Sequence, residues 1–225
     1  YQYAVNKWNV GTNLYYMGYK DQFVQTGEQS DIGKKLTTNV KDSYRMGAEL
    51  SAGWNATSWL TLEGNAALSI NKIKNFDEFV DNWDNKKMPL KVHYDNSTLA
   101  FSPSTILNGF MNFHYKGAQF VWHTNYVSRQ YLDNSENIDR SLPAFSQTDI
   151  NLNYVLKTSK QHCGLREIVF GLNFNNIFNN HYAASGWVYS AVSEKNKYTN
   201  DNRYYQIGFM PMAGFTMMGN ITLKF

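Results

Sequence analysis

The side chains best suited to chemistry are few and scattered. His114 and His123 lie either side of a Lys116-Gly117-Ala118 turn signal. If Tyr115 pairs with Phe120 across that turn, His123 stands opposite Asn112 and His114 opposite Val121, all on one face. Two imidazoles could open a metal site, but a zinc centre takes three or four protein ligands, and no third is evident. Histidines lining an inward, lumen-facing side are the expectation, with no metal site. Asp133, Ser135, Asn137 and Asp139 sit at alternate positions, like the first ligands of a calcium loop. The glycine at the sixth position and the distal bidentate Glu are missing, so a solvated loop is expected. Asp77, Glu78, Asp81 and Asp84 gather carboxylates that could attract divalent ions, again with a plain solvated loop as the simpler reading. Cys163 has no second cysteine to pair with, which excludes a disulfide scaffold. No nucleophile elbow, phosphate-cradling glycine loop or zinc-protease motif is present. Neither an enzyme nor a cofactor protein is expected.

Binding chemistry is better represented. Trp83, Tyr94, Trp187, Tyr189 and Tyr198 fall in polar connecting stretches, where rings give large contact area at small entropic cost. They are the ligand-contact candidates, with packing between loops as the alternative. Arg45, Glu49 and Glu63 fall mid-segment on the polar side of an alternating pattern. They could hydrogen-bond an inserted domain or simply face water.

The elements that position these residues are strands, because the hydrophobic period is two. Tyr44, Met46, Ala48, Leu50, Ala52 and Trp54 alternate with Ser43, Arg45, Gly47, Glu49, Ser51 and Gly53. Leu60, Leu62, Gly64, Ala66, Leu68 and Ile70 alternate with Thr61, Glu63, Asn65, Ala67, Ser69 and Asn71. The same pattern returns over 148–157, 168–175 and 215–225, and less tidily over about 8–26, 97–115 and 119–131. No segment has a helical period. Eight long strands are expected, joined alternately by short connectors (5–7, 55–58, 116–118, 158–164) and long ones (27–41, 75–97, 132–144, 177–203). An antiparallel meander trimmed at one end and elaborated at the other fits an outer-membrane barrel better than a soluble sandwich with mixed loops at both ends. Trp8, Trp54, Trp59, Tyr115 and Phe120 flank the short turns, as rings do at a membrane interface.

Composition agrees. The 225 residues carry net charge +3, 17% charged residues, 6 Trp, 16 Tyr and 14 Phe. Mean hydropathy is −0.51, and no apolar run reaches the about 18 residues of a helical membrane span. The aromatic load argues against disorder, and the small, spread charge argues against a nucleic-acid partner. Tyr1-Gln2-Tyr3-Ala4 before a turn and a new strand reads as a strand end rather than a signal peptide. The expectation is a chain beginning mid-fold, as a fragment or processed product, with an exported protein whose signal has been removed as the alternative.

Several stretches resemble the C-terminal half of the barrel of TonB-dependent outer-membrane receptors. Asn13–Val24 is similar to a family strand climbing into an extracellular loop, and Ser43-Tyr44-Arg45-Met46-Gly47-Ala48-Glu49-Leu50 to its recurrent Y/S-R-x-G-x-E strand. Asn175-Asn176-Ile177-Phe178-Asn179 with Tyr182 resembles its N-L-F strand end, and Gly219–Phe225 its aromatic-terminated last strand. The resemblance spans essentially the whole chain. It implies an all-β, transmembrane, antiparallel up-and-down barrel, present in part: about the last eight strands of a 22-stranded barrel, with residues 1–225 in the C-terminal part and the plug domain and N-terminal barrel half absent. The parent would import a scarce ligand such as a ferric siderophore, haem, cobalamin or an oligosaccharide across the bacterial outer membrane. Its implied partners are outer-membrane lipid, its own plug and remaining strands, the TonB complex through that plug, and the barrel-assembly machinery, which would read Ile221, Leu223 and Phe225. On this reading Arg45, Glu49 and Glu63 face the plug, and the acidic stretch lies near lipopolysaccharide. Two alternatives stay open: a self-contained eight-stranded outer-membrane barrel with a structural or adhesive role, and a soluble β-sandwich that binds carbohydrate through Trp and Tyr.

Overall fold

The computed structural model describes residues 1–29, 35–85, 88–158, 164–193 and 203–225. Fourteen strands follow in order: β1 (Gln2–Val5), β2 (Trp8–Gln29), β3 (Lys35–Asn55), β4 (Leu60–Asn82), β5 (Leu90–Thr98), β6 (Thr105–Tyr115), β7 (Ala118–Val127), β8 (Gln130–Tyr131), β9 (Ser141–Leu142), β10 (Phe145–Lys157), β11 (Glu167–Asn175), β12 (Ala183–Val192), β13 (Arg203–Pro211) and β14 (Thr216–Lys224). The only helical turn among the described residues is a 3-10 turn at Ile138–Arg140. The main sheet runs β1-β2-β3-β4-β6-β7-β10-β11-β14, each neighbour antiparallel to the last. Among the described residues, β1 and β14 each pair on one side. This is the expected meander: eight long strands after a short first one.

Register explains why the two faces differ. Trp8, Trp54 and Leu62 share a row, as do Leu14, Ala48 and Leu68. Leu62 continues to Met111, Met111 to Trp122, and Trp122 to Ile150. One face is therefore apolar across the sheet, yet Leu14, Tyr16, Leu68, Ile70, Leu172 and Ile221 are all exposed. Rings edge this apolar band at two levels. Near the short turns Trp8 stacks on Trp54 at 4.9 Å and Trp59 on Phe113 at 5.9 Å. Toward the other end Tyr16 stacks on Tyr44 at 6.0 Å and Phe174 on Phe215 at 6.5 Å. Aromatic girdles flanking an outward apolar band are the mark of a barrel wall facing lipid.

The short turns are tight for a local reason. Lys116 and Gly117 both have positive φ, 46° and 84°, the conformation a two-residue hairpin needs to match strand twist. Tyr115 consequently pairs with Ala118 and His114 with Gln119, while His123 stands opposite Phe110. This corrects the register expected from Tyr115 and Phe120: the pair closes two residues sooner, and both histidines keep their polar face.

Three of the long connectors hold strand among their described residues, which corrects their reading as loops. β2 and β3 extend into 27–41 and β4 and β5 into 75–97, and β12 within 177–203 pairs with β13, which opens at Arg203. Their polar composition hid this, because backbone pairing to a neighbour outweighs weak strand propensity. The expected strand over 97–115 is broken. Thr98 stands opposite Lys72 and Thr105 opposite Leu68, so Leu99–Ser104 bulges against the much shorter Ser69–Asn71. Asn75 in β4 has φ 51° and Asp21 in β2 φ 53°. A left-handed residue inverts side-chain alternation, so Ile73 and Phe76 both enter one buried cluster with Val24, Val40 and Leu99. A second cluster joins Leu132 and Leu142 to Val188, Tyr205 and Ile207.

Candidate functional site

The candidate site is the layer of hairpins beyond the apolar band. β4 rises above Asn75 and pairs with β5 on one edge. At its tip the β12–β13 hairpin joins it in a short parallel contact, Ala191 with Asp81 and Val192 with Asn82. The Trp83 amide extends that contact by donating to Val192 O at 3.0 Å. Two sequence-distant hairpins thus become one wall.

Side chains reinforce the joint. Arg203 Nη1 donates to Glu78 Oε2 at 2.8 Å, and both side chains are buried. The Tyr94 hydroxyl donates to the same Glu78 oxygen at 2.9 Å and accepts from Arg203 Nη2 at 3.3 Å. Burial, and then the negative charge of Glu78, push the Tyr94 phenol up to about 12. It therefore remains a proton donor at any physiological pH. Trp83 Nε1 donates to the Tyr189 hydroxyl at 3.0 Å, and the Trp83 ring leans on Tyr204 at 5.0 Å. Burial raises the Tyr189 phenol, with Asp81 adding to the shift.

Of the ring candidates, then, Trp83, Tyr94 and Tyr189 converge on this joint, Tyr94 and Tyr189 from strands and Trp83 from the residue after β4 ends. Tyr94 packs beside Phe76 at 6.3 Å and spends its hydroxyl on Glu78 and Arg203. Trp187 lies two residues before Tyr189 on β12, facing Gly208 of β13. Tyr198 and Cys163 lie outside the described residues. Arg203 and Tyr204 were not singled out from the sequence. The signal for them was a basic residue opening an alternating Tyr-rich strand directly after a long polar stretch.

Three carboxylates of the acidic stretch have separate partners. Asp77 binds Lys91 at 2.9 Å and lies 2.7 Å from His93 Nδ1. Glu78 is taken by Arg203, and Ser193 Oγ donates to Asp84 at 3.4 Å. The calcium-like stretch is likewise internally satisfied. Arg140 Nε donates to Asp133 Oδ2 at 2.7 Å, Arg140 Nη2 to Ser135 Oγ at 2.7 Å, and Ser135 N to Asp133 Oδ1 at 3.0 Å. Asn137 Oδ1 caps Asp139 N at 2.8 Å. Among the described residues, no three His, Cys, Asp or Glu side chains gather as a metal site.

The polar face below is rich in amides. Asn13 Nδ2 donates to Glu49 Oε2 at 3.1 Å, and Asn108 Nδ2 to Asn65 Oδ1 at 2.9 Å. Arg45 and Glu49 share this face beside Asn71 and Phe101; Glu63 is exposed on it between Gly53 and Phe110. His123 stacks on Phe110 at 4.3 Å. At the far edge Ile221 and Leu223 on β14, and Phe225 just after it, are all exposed, and among the described residues β14 pairs with β11 alone.

A scan against protein-family models finds no match, and neither does a search of curated proteins. Solved structures do match. The chain is similar to the ferric yersiniabactin uptake receptor FyuA of Yersinia pestis, at 13% identity and TM-score 0.62, over 100% of this chain and 29% of that one. It is similar to the copper transporter OprC at 16% identity and TM-score 0.65, over 98% of this chain and 28% of that one. It is also similar to the FrpB iron transporter of Neisseria meningitidis at 15% identity and TM-score 0.56, over 98% of this chain and 29% of that one. The fold is that of the barrel part of TonB-dependent receptors. The chain spans under a third of the length of each of these proteins.

Proposed function

We propose that the chain is the C-terminal part of the barrel of a TonB-dependent receptor in a bacterial outer membrane. The plug, the first barrel strands and the TonB contact would belong to the rest of the protein, and the whole would import a scarce ligand. One observation carries the reading: a nine-strand meander with an exposed, ring-banded apolar face and an amide-lined polar face, similar over nearly all its length to the barrel part of uptake receptors. On this reading Arg45, Glu49 and Glu63 face the plug. Trp83, Trp187 and Tyr189 stand in the extracellular layer, and Ile221, Leu223 and Phe225 present the strand that the assembly machinery engages by edge pairing. A closed eight-stranded barrel is less well supported, because neither β1 nor β14 uses its second edge.

Membrane fractionation tests location. The protein should partition with the outer membrane and show heat-modifiable gel migration. Full solubility without detergent would overturn the proposal. The residues encoded upstream of Tyr1 test the domain reading: a plug and further barrel strands are expected, and a signal peptide directly before Tyr1 would overturn it.

A further inference from the structure

The apolar face is not smooth near the short turns. Register sets Tyr115, Ala118, Tyr154 and Phe170 in one row. Phe113, Phe120, Leu152 and Leu172 form the next row inward. Ala118 is the small side chain in its row, and it leaves an open groove of about 650 Å³ between the flanking rings, with Trp59 on one side. Trp59 stacks on Phe113, and Phe113 meets Phe120 edge-on at 5.5 Å, so the rings of this wall brace one another. The turn end of the groove is basic. Lys116 Nζ lies 5.1 Å from the centre of the Tyr115 ring, which lines the groove. Lys157 ends β10 and Arg166 directly precedes β11, both exposed at the same end. Among the described residues of these strand ends the side-chain carboxylate is Glu167, held by Lys224 Nζ at 3.1 Å. Positions 159–163 complete the connector there in sequence as Ser-Lys-Gln-His-Cys, which adds Lys160 and no acid.

We propose that this groove seats one anionic glycerophospholipid of the periplasmic leaflet, an acyl chain lying over Ala118 and the phosphate held at Lys116. This rests on the receptor reading above, which puts the short turns on the periplasmic side. Two features point to the occupant. The groove is continuous with the apolar band that meets hydrocarbon on that reading, and its volume is in the range of sites that take one small molecule. An acyl chain fills such a hollow, where a flat band would give only sliding contact. Charge then selects the headgroup. Lysine and arginine bind phosphate as point charge and as planar fork, and basic residues at a membrane surface favour net anionic lipid over zwitterionic lipid. Exposed Tyr115 and Tyr154 stand between the two regions, where amphipathic rings suit the boundary of chain and headgroup.

The test takes the full-length receptor, delipidated in detergent, and titrates it with phosphatidylglycerol or phosphatidylcholine, reading bound lipid by native mass spectrometry. Phosphatidylglycerol should saturate a single site and bind about fivefold or more tighter than phosphatidylcholine. Lys116→Glu, on an exposed turn, should abolish that preference. Ala118→Phe fills the groove and should weaken both lipids by about tenfold or more. Ala118→Leu replaces it if heat-modifiable migration shows that the larger ring prevents folding. A folded outer-membrane receptor that binds both lipids equally, or binds neither at a saturable site, overturns the lipid site while leaving the receptor reading intact. Folded groove variants that bind as wild type overturn its placement over Ala118, and a preference that survives Lys116→Glu overturns the placement of the phosphate. Absence of the protein from the outer membrane is the separate outcome that overturns the receptor reading.

Discussion

Arg203 Nη1 and Glu78 Oε2 meet at 2.8 Å across 125 positions of the chain, with 5% and 4% of their side chains exposed. Two desolvated charges are costly apart and tolerable together, so the pair ties the β12–β13 hairpin to β4. Glu78→Ala would strand a buried guanidinium, a loss of about 3–5 kcal/mol in the stability of that joint. Replacing both partners, as Glu78→Leu with Arg203→Met, should recover most of it, because an apolar pair of similar volume needs no solvation. Amide hydrogen exchange of β12 and β13 reads the difference. Equal loss of protection in the single and double variants would show that the ion pair is not what holds the hairpin.

Asn176 is a second fastening point. It is 2% exposed and left-handed at φ 52°, a conformation Asn tolerates better than most residues. Its amide N donates to Asp149 Oδ1 at 2.8 Å. Its side chain donates to Asn180 O at 2.9 Å and Ala213 O at 3.2 Å, and accepts from Asn180 N at 2.9 Å. Asn176→Ala should cost about 2–4 kcal/mol, combining buried unpaired groups with backbone strain. A loss under about 1 kcal/mol in a denaturation series would mean water replaces the amide.

The long meander was legible and the layer above it was not, for a common reason. Period-two alternation survives wherever one face is apolar and the other polar, so Leu60–Ile70 and Tyr44–Trp54 announce themselves. Above Asn75 and Asp21 a left-handed residue inverts the alternation, and Ile73 with Phe76 loses the pattern while gaining burial. Long-range partners leave even less trace: nothing near Glu78 points to Arg203, 125 positions away. The ring candidates were found by type alone. Their grouping of Trp83 and Tyr189 with Tyr204 depends on a parallel contact between strands more than a hundred residues apart.

His93 and Asp77 give the β4–β5 hairpin a pH signature. His93 Nδ1 lies 2.7 Å from Asp77 Oδ1, and the bond to Asp77 raises the imidazole above its usual 6.5. The same bond, with help from Lys91, lowers the Asp77 carboxyl below 3.8. The histidine contribution is complete below 6.5 and fades as pH rises through its raised folded value. The aspartate contribution is complete above 3.8 and fades as pH falls through its lowered one. Attachment is therefore strongest between those limits. An NMR titration of His93 should give a midpoint above 6.5 that drops back in Asp77→Asn. An unchanged midpoint in that variant would remove Asp77 as the cause.

The assignment of faces can be tested by one charge placed on each. Leu62 lies on the apolar face between Trp54 and Met111, and Leu62→Arg should cost about 2–4 kcal/mol if that face meets hydrocarbon. Asn65 is on the other face, accepting from Asn108 Nδ2 at 2.9 Å. Asn65→Arg gives up a single exposed amide bond, with a cost of about 0.5–1.5 kcal/mol. Folding into lipid vesicles, followed by denaturant titration, compares the two directly. Equal tolerance at both positions would mean that the apolar face does not meet lipid. A larger loss at Asn65 would reverse the orientation of the whole sheet, because register links the long strands β2, β3, β4, β6, β7, β10, β11 and β14 to these two rows.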